Sequence, residues 1–359
     1  RLSCSPECWC WGVADAEPAC SVAPSPGTLT AVATGFIYSD RFLEHDTGAR
    51  HPERSDRLCA ICDRLRETHL WDALTHLPFE PVSRATLERL HDPAYLDRLE
   101  EACRRKAGYI DAIDSAICPD SYEIARLAAG GVIAACDAVM AGTVSNAFCA
   151  VRPPGHHCER DRSMGFCLLG NIAIAADHLT HEHSLDRVAI VDWDVHHGNG
   201  TQHLLEERSD IFVINIHEHP SYLYPGTGFA WETGEGDGEG ATLNLPMMPE
   251  SGDDEVRAVF QKKLLPALDA FEPRFLLISA GFDAVADDPL AHLRVTQDGF
   301  GWMARQLKDF ADRRCGGRLV SVLEGGYHLQ SLAEAVARHV STLMMPAQMD
   351  DLMAMKAGF

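Results

Sequence analysis

A run of apolar residues in the segment VAIVDWDVHHGNGTQ, residues 188–202, leads directly into two aspartates and two histidines. Residues two apart on an extended strand point the same way, so the side chains of Asp194 and His196 can reach one common position. One carboxylate and one imidazole suit a borderline cation such as zinc. Asp283, in SAGFDAVADDP at the end of another predicted strand, is placed to be a third ligand. Two aspartates and one histidine leave one coordination position for water, as in catalytic zinc sites. The alternative is that Asp194 and His196 only form hydrogen bonds at the strand end.

Adjacent histidines occur at a second strand end, in RPPGHHCERDRSMGFC, residues 152–167. His156 and His157 could bind metal, but an acid–base pair is the favoured interpretation because three metal ligands are already provided. Such a pair would take a proton from an activated water and return one to a leaving amine. In LEGGYH, residues 323–328, Tyr327 can donate a hydrogen bond to a developing oxyanion, and Gly325 and Gly326 allow a close backbone turn. Core packing of the tyrosine is the alternative.

These polar groups need a scaffold that brings several strand ends together. Near-continuous apolar segments alternate with amphipathic ones, a pattern typical of an α/β fold with a parallel sheet covered by helices on both faces. Ligands bind such sheets beyond the carboxyl ends of the strands, where the polar motifs occur. The predicted strands are ATGFIYS, AFCAV, VAIVDWD, IFVINIH, RFLLISA and RLVSVLEG. The predicted helices are ERSDRLCAICDRLRETHLW, SYEIARLAAGGVIAACDAVMAG, GNIAIAADHLTHEH and DDEVRAVFQKKLLPALDAF.

The motifs RPPGHH, GFC, DWDVHHGNGTQ, YPGTG, SAGFDA, DDPL and LEGGY together resemble the histone deacetylase family, in its class II branch with the bacterial amidohydrolase relatives. HPERSDRL from residue 51 and DSAICPDSYEIARLAAGG after residue 113 match the same branch. The resemblance spans residues 33–345 and implies an arginase-deacetylase fold, a single catalytic domain over residues 33–359 with a mostly parallel sheet. It also implies zinc-dependent hydrolysis of Nε-acetyl-lysine or other acyl-lysine amides in proteins or peptides.

The resemblance also implies roles for the residues at the strand ends. His157 would be the general base and then the general acid, His156 would help electrostatically, and Tyr327 would stabilise the oxyanion. His197 is expected to point away from the metal into structural hydrogen bonds. One zinc ion per chain would be held by Asp194, His196 and Asp283.

The resemblance also implies a supporting residue behind each of the two histidines. Asp192 would stand behind His156 and Asn199 behind His157, where many class I members carry Asp. A neutral amide orients the ring without stabilising its cation, so we expect a lower pKa for His157 than an aspartate would give. That difference should affect the limb of the pH–activity profile that the base determines.

An apolar tunnel for the acyl-lysine stem is the family's substrate site. The facing rings of Phe166 and Tyr224 would suit the flexible stem. Many family members have Phe where this chain has Tyr224. The hydroxyl of Ser115 would accept a hydrogen bond from the substrate backbone, with a role in a loop turn as the alternative. The positions that match substrate-contacting ones are Ser115, Gly165, Phe166, Tyr224, Leu290, Gly325 and Gly326.

The family often holds a potassium ion behind the zinc, bound mainly by main-chain oxygens. Asn215 stands near a position that is often Ser, which makes the coordination of this ion in the present chain less defined. The residues that would surround a structural potassium ion are Asp192, Asp194, His196, Asn215 and Ile216.

Three other functions compete with lysine deacylation. An acetylpolyamine amidohydrolase of the same superfamily fits the acidic composition, but Leu290 stands at the rim where an acidic gatekeeper for a second amine is expected. A catalytically inactive acyl-lysine-binding scaffold is disfavoured because the set of acid–base and metal residues is intact. An arginase-like binuclear manganese enzyme would need further carboxylates and histidines facing the metal.

The composition limits the partners. The chain has 359 residues, with 31 basic against 53 acidic side chains and a formal net charge of −22. Such a surface repels phosphate backbones, which argues against nucleic acid, and attracts lysine-rich peptides or polyamines, although solubility alone would explain it equally well. No apolar run approaches the roughly 20 residues of a membrane span. A homo-oligomer stays open.

The 13 cysteines are scattered, which is typical of reduced, mostly buried thiols in a cytoplasmic protein. Cys59 and Cys62 have redox spacing but lie in a helical pattern, so packing is the favoured interpretation. The first 32 residues match a flexible extension better than a folded unit. A metal knuckle is the alternative there, from Cys4, Cys8 and Cys10.

Overall fold

The protein, described here from a computed structural model over residues 33–346, contains one eight-stranded sheet in which every neighbouring pair of strands is parallel. The predictions made for residues 1–32 lie outside this described range. The strands run in the order β2-β1-β5-β10-β9-β6-β7-β8. They are β1 (Thr34–Ile37), β2 (Thr75–His76), β5 (Asn146–Cys149), β6 (Val188–Asp192), β7 (Ile211–Glu218), β8 (Thr242–Met247), β9 (Phe275–Ala280) and β10 (Leu319–Leu323). A separate antiparallel pair consists of β3 (Tyr109–Ile110) and β4 (Ala112–Ala116).

The four central strands β5, β10, β9 and β6 are buried at every residue. Since successive residues of a strand point to opposite faces, both faces of the sheet must be covered. The longer helices are α1 (Asp56–Glu67), α3 (Pro93–Arg104), α4 (Ser121–Met140), α5 (Asn171–His181), α9 (Gln297–Arg314) and α10 (Leu329–Leu343). Shorter ones are α2 (Arg84–Leu87), α6 (Asn199–Leu205), α7 (Asp253–Val259) and α8 (Leu265–Phe271). The fold is therefore the predicted α/β architecture.

All six predicted strands are present, but the edges of the sheet were missed. The edge strand β2 has only two residues, and the edge strand β8 reads TLNLPM, in which Asn244 and Pro246 interrupt the apolar signal. Proline is tolerated at an edge because one side of an edge strand needs no ladder hydrogen bond. The predicted helix over residues 253–271 contains a π-helical turn, Phe260–Leu264, just before Pro266. Proline lacks the N–H that a regular helix would use there.

Within residues 33–346, no helix has the length and apolar character that a bilayer crossing requires. The nine cysteines of this range are free thiols, and seven of them are buried. Burial raises the pKa of Cys62 to about 12, so its thiol is a poor nucleophile at neutral pH. The burial of Cys62 agrees with its interpretation as a packing residue, whereas Cys59 is exposed and does not pack in the core.

Candidate active site

The polar motifs converge because the strands that precede them are neighbours. The four central strands lie side by side in the order β5-β10-β9-β6, and all of them run in the same direction. Their carboxyl ends therefore lie at one edge of the sheet, each followed by a motif singled out in the sequence. The motif RPPGHH follows β5, LEGGY follows β10, GFDA follows β9 and DWDVHH follows β6.

Three of these side chains form a buried cluster of potential metal ligands. His196 Nδ1 lies 3.1 Å from Asp194 Oδ1 and 3.1 Å from Asp283 Oδ2. Both carboxylates are at most 1% exposed. The predicted strand geometry was wrong, however, because β6 ends at Asp192 and residues 194–196 form a bend. The bend, fixed by the His196 N–H donating to Asp194 Oδ1 at 2.9 Å, turns both side chains to one position.

The charges in this cluster suit a divalent cation. Burial and the neighbouring charge of Asp194 raise the pKa of Asp283 above its ordinary value. Burial opposes a charge on His196, but hydrogen bonds to both aspartates raise its pKa to about 10. Two buried carboxylates side by side thus demand an adjacent positive charge. Two carboxylate oxygens and one imidazole nitrogen converging on one point are a donor set that fits zinc.

His156 and His157 lie next to this cluster, with ring centres 4.0 Å apart. His156 Nδ1 lies 3.0 Å from Asp192 Oδ2, the predicted partner. Burial disfavours the charged form of His156, but Asp194 and Asp192 overcome this and raise its pKa to about 10. His156 is therefore suited to carry a positive charge rather than to accept a proton.

The other histidine has the opposite character. His157 Nδ1 lies 2.7 Å from Asn199 Oδ1, again the predicted partner. An amide oxygen can only accept, so His157 donates from Nδ1 and its Nε2 keeps a free lone pair. Burial first, and then the charges of His156 and His196, hold the pKa of His157 well below its usual range. Its ring is therefore neutral at physiological pH and can act as a base.

A residue missed in the sequence lies behind this pair. The Asn199 amide donates from Nδ2 to Glu159 Oε1 at 2.6 Å. His203, on α6, contacts the same carboxylate through Nδ1 at 2.8 Å. Glu159 is 6% exposed, and the sequence does not single it out, because it stands in a charged run with Arg160, Asp161 and Arg162.

Aromatic rings form the walls beside the histidines. The ring centre of Tyr224 lies 5.2 Å from that of His157, and the ring centre of Phe166 lies 5.8 Å from that of Tyr327. Gly165 has a φ of +50°, and a β-carbon there would come within 2.3 Å of the His157 ring. Glycine is therefore required at this position for both backbone conformation and space.

The loop that carries Tyr327 is held by buried charged groups. Tyr327 N–H donates to Asp288 Oδ2 at 2.7 Å. The Arg57 guanidinium lies 5.1 Å from the centre of the Tyr327 ring and donates to the carbonyls of Gly326 and Glu324 at 2.7 and 2.5 Å. Burial, reinforced by the nearby Asp283 carboxylate, raises the pKa of Tyr327 well above its usual range. The phenol therefore stays protonated and can donate.

Glu324 fixes the loop of the histidine pair in a similar way. Its carboxylate accepts from Gly155 N–H at 2.7 Å and from Ser279 Oγ at 2.9 Å. The sequence motifs HPERSDRL and LEGGY contained Arg57 and Glu324, but sequence reasoning gave neither residue a role. Glu324 could be noticed as a charged residue in the otherwise apolar and glycine-rich SVLEGGY, whereas Arg57 stands among the charged residues of HPERSDRL and has no such signal.

The predicted glycine positions differ in what they contact. Gly325 N–H donates to Asp194 Oδ2 at 2.8 Å, and a β-carbon on Gly325 would come within 2.1 Å of Asp283 Oδ2. Gly325 thus packs against Asp194 and Asp283, two of the candidate metal ligands. Gly326 has a φ of +121° and packs near Phe282.

The remaining predicted residues lie around the cluster. Ser115 lies in β4 with a buried Oγ that has no hydrogen-bond partner among the described residues. Leu290 is half-buried, with its N–H donating to Asp288 Oδ1. His197 bonds to Thr227 Oγ1 and Gln202 Oε1 at 2.9 and 2.8 Å, which confirms that its ring points into structural hydrogen bonds.

Of the five positions suggested for potassium, Asn215 and Ile216 lie on β7, which pairs with β6. Asn215 pairs with Asp192 in the sheet register, and its Nδ2 donates to Asn244 Oδ1 at 2.9 Å. The Asn215 Oδ1 atom is buried without a partner among the described residues. Ile216, next along the strand, can offer only its main-chain oxygen.

Known proteins resemble this chain over most of its length. The sequence profile of the histone deacetylase domain matches residues 51–343. A histone deacetylase-like amidohydrolase of Pseudomonas aeruginosa is 41% identical over 305 residues, which cover 85% of this chain and 78% of the relative. The human polyamine deacetylase HDAC10 is 39% identical over 303 residues, covering 81% of this chain and 44% of the human protein.

A solved structure agrees with these sequence matches. The HDA15 HD domain superposes with a TM-score of 0.82 at 35% identity, covering 87% of this chain and 90% of the other. The shared fold places the buried Asp-His-Asp cluster and the histidine pair on a deacetylase scaffold. The chain belongs to the histone deacetylase family, whose members named here are deacetylases and amidohydrolases.

Proposed function

We propose that the protein is a zinc-dependent lysine deacylase, which hydrolyses the Nε-acyl amide of lysine in proteins or peptides to a carboxylate and free lysine. The observation that carries this proposal is the position of His157, whose unprotonated Nε2 belongs to a buried ring next to the Asp194, His196 and Asp283 cluster. A base, a metal-ligand set and a phenol donor within one pocket are the groups that amide hydrolysis needs.

Asp194, His196 and Asp283 would hold the zinc ion through one atom each. When bound, zinc would polarise the amide carbonyl and make water acidic enough to be deprotonated near neutral pH. The donor set, with its excess of negative charge in a buried place, supports this assignment.

His157 would accept the proton of the attacking water at Nε2. The water oxygen adds to the carbonyl carbon, and the resulting oxyanion would accept a hydrogen bond from the protonated phenol of Tyr327. His157 would then give its proton to the lysine nitrogen as the C–N bond breaks, so that the amine leaves neutral and the carboxylic acid remains, which ionises to the carboxylate by releasing its proton to water.

Asn199 and Glu159 would keep the base in place, and His156 would act through its charge. Asn199 holds the Nδ1–H of His157, and Glu159 holds the Asn199 amide so that its oxygen, rather than its nitrogen, faces the ring. His156, paired with Asp192, would contribute a fixed positive charge near the oxyanion. Each of these groups is buried, where charges act more strongly than in water.

For the substrate, Phe166 and Tyr224 would contact the apolar lysine stem on either side. The unpaired Ser115 Oγ would accept a hydrogen bond from the substrate backbone. The Asn215 Oδ1 atom, which has no partner among the described residues, is the observation that favours a structural potassium ion. Main-chain oxygens of Asp192, Asp194 and His196 would also bind this ion.

Acylated polyamines are the second candidate substrates. The specific observation in their favour is the 39% identity to a human protein named polyamine deacetylase HDAC10. Against them, the half-buried apolar side chain of Leu290 offers no anionic group to a second amine.

A side-by-side assay tests the assignment. Initial rates on an acetyl-lysine peptide would be compared with those on acetylated putrescine and spermidine, and a series of acyl groups on the same lysine would follow. A kcat/KM that is higher for the peptide supports the lysine assignment. A kcat/KM that is higher for an acetylated polyamine would replace it with the second candidate.

A further inference from the structure

Another cluster of potential metal ligands lies between α4 and α5, away from the candidate active site. Asp137, on α4, places its Oδ1 atom 2.7 Å from His178 Nε2 and 2.7 Å from His183 Nε2. His178 lies near the end of α5, and His183 follows shortly after that helix. The two histidines thus use the same kind of nitrogen and point to the same oxygen.

The spacing of the two imidazole rings is that of two ligands of one tetrahedral metal ion. The 2.7 Å between Asp137 Oδ1 and each nitrogen is a hydrogen-bond distance, shorter than the roughly 3.3 Å between ligand atoms of a tetrahedral zinc, so the carboxylate must move outward to admit a cation. The two imidazole ring centres are 5.4 Å apart, and the rings are inclined by 74°. Two imidazoles that bind one zinc ion tetrahedrally through Nε2, with Zn–N bonds of about 2.0 Å, have ring centres roughly 5 Å apart. The three ligand atoms all lie within 4.8 Å of one another.

The site is reachable from solvent. The side chains of Asp137, His178 and His183 are 47%, 13% and 27% exposed. A cation could therefore enter, and water could complete its coordination.

The location separates this set from the catalytic one. Asp137 lies in the last turn of α4, which leads into the amino end of β5, and His183 lies between α5 and the amino end of β6. The catalytic motifs follow the carboxyl ends of the same two strands. The two clusters therefore lie at opposite ends of the strands, one beyond the amino ends and the other beyond the carboxyl ends.

We propose that Asp137, His178 and His183 form a second binding site for a divalent transition-metal cation of the zinc class, which links α4 to α5. Two imidazole nitrogens and one carboxylate oxygen are the ligands that zinc takes in proteins, with a water in the fourth position. The site does not depend on the proposed catalytic function. A cation bound there stabilises the folded chain, because it binds only when the two helices are packed together.

Counting zinc in the purified holoenzyme tests the site. Equilibrium dialysis against buffered free Zn²⁺ should give one more bound zinc per chain for the wild type than for His183→Ala. Since changing groups that merely support metal ligands costs tenfold to a hundredfold in affinity, loss of a ligand should weaken this zinc by roughly a hundredfold or more. Added zinc should also raise the Tm of the wild type but not of the variant.

Two further variants separate a metal site from a hydrogen-bonded contact. Asp137→Asn keeps an acceptor oxygen for both histidines but loses the charged ligand, so it should lose the additional zinc while remaining folded. His181→Ala changes an exposed histidine of the same helix and should bind zinc as the wild type does. Deacylation of an acetyl-lysine peptide should be unchanged in all of these variants, whether or not the catalytic assignment is correct.

Equal zinc stoichiometry and affinity in the wild type, His183→Ala and Asp137→Asn would overturn the proposal. The same conclusion would follow if the wild type bound no zinc beyond that removed by changing Asp194.

Discussion

The carboxylate of Glu159 accepts a hydrogen bond from the amide of Asn199 at 2.6 Å. Glu159 therefore contacts the residue that contacts the proposed base, His157. The neutral amide separates this negative charge from His157, whose Nδ1–H it holds at 2.7 Å. The carboxylate therefore fixes the direction of the amide without direct contact with the imidazole. This arrangement selects the imidazole tautomer that leaves Nε2 free.

Replacement of Glu159 by Gln should lower kcat roughly tenfold or more, with little change in KM. A glutamine can either donate to or accept from the Asn199 amide, so the amide is no longer held in one orientation. Steady-state kinetics on an acetyl-lysine peptide measure the effect. In an Asn199→Asp background the same replacement should raise kcat, because it removes one of two adjacent carboxylates. An equal loss in both backgrounds would contradict the positioning role.

Asn199→Asp should move the acidic limb of the pH–rate profile to higher pH. The base acts only when neutral, and the pKa of His157 is held well below its usual range, so activity is lost only as the pH falls through that low value. A carboxylate partner stabilises the cation and raises the pKa, so the loss would begin at a higher pH. A pH–rate profile with unmoved limbs would exclude this account of Asn199.

Tyr327→Phe removes one donor to the oxyanion and leaves the aromatic packing with Phe166 in place. We expect turnover to fall by about a hundredfold or more, as when a single oxyanion donor is removed elsewhere. Single-turnover rates measure the chemical step directly. Activity within about threefold of the wild type would rule out an essential hydrogen bond from this phenol.

Glu53→Gln should lower the free energy of unfolding by about 3 kcal/mol or more, because it breaks a fully buried ion pair. The Glu53 carboxylate is bidentate to Arg152 at 2.5 and 2.8 Å and also contacts Arg57 at 3.1 Å. Denaturant unfolding measures the loss. Asp63→Asn, at an exposed pair with Arg66, is the matched control and should change stability by less than about 0.5 kcal/mol.

The same glutamate gives a pH dependence of stability. Burial alone would raise the pKa of Glu53, but Arg152 and Arg57 lower it from 4.5 to about 2. Its stabilising contribution is therefore complete above pH 4.5 and is lost as the pH falls toward about 2. In Glu53→Gln that part of the acid-induced loss should be missing, and identical pH dependence in both proteins would contradict it.

The sequence was sufficient to predict the central sheet because buried parallel strands appear as uninterrupted apolar runs. The pairing of Asp192 with His156 and of Asn199 with His157 was predicted from the resemblance to the histone deacetylase family, and the structure has both contacts. Short edge strands such as β2 were not predictable, because two residues carry no periodic signal. The long helix α9 was also missed, and Gly299 and Gly301 in its first turns weaken the helical pattern.

The supporting charged groups of the site were the hardest to predict. Glu159 and Arg57 act through contacts with residues that are distant along the chain, such as Asn199 and Gly326. Local spacing contains no information on such contacts. The convergence of Asp194 and His196 was predicted, but from a strand geometry that the bend after Asp192 replaces.

Metal dependence tests the central claim most directly. The purified protein would be treated with a chelator, assayed on an acetyl-lysine peptide, and then supplied with increasing amounts of zinc, with His196→Ala as the control that lacks one ligand. The account predicts that chelation abolishes deacetylation, that about one zinc per catalytic site restores it, and that His196→Ala stays inactive. Full activity after complete metal removal, or in His196→Ala, would contradict it.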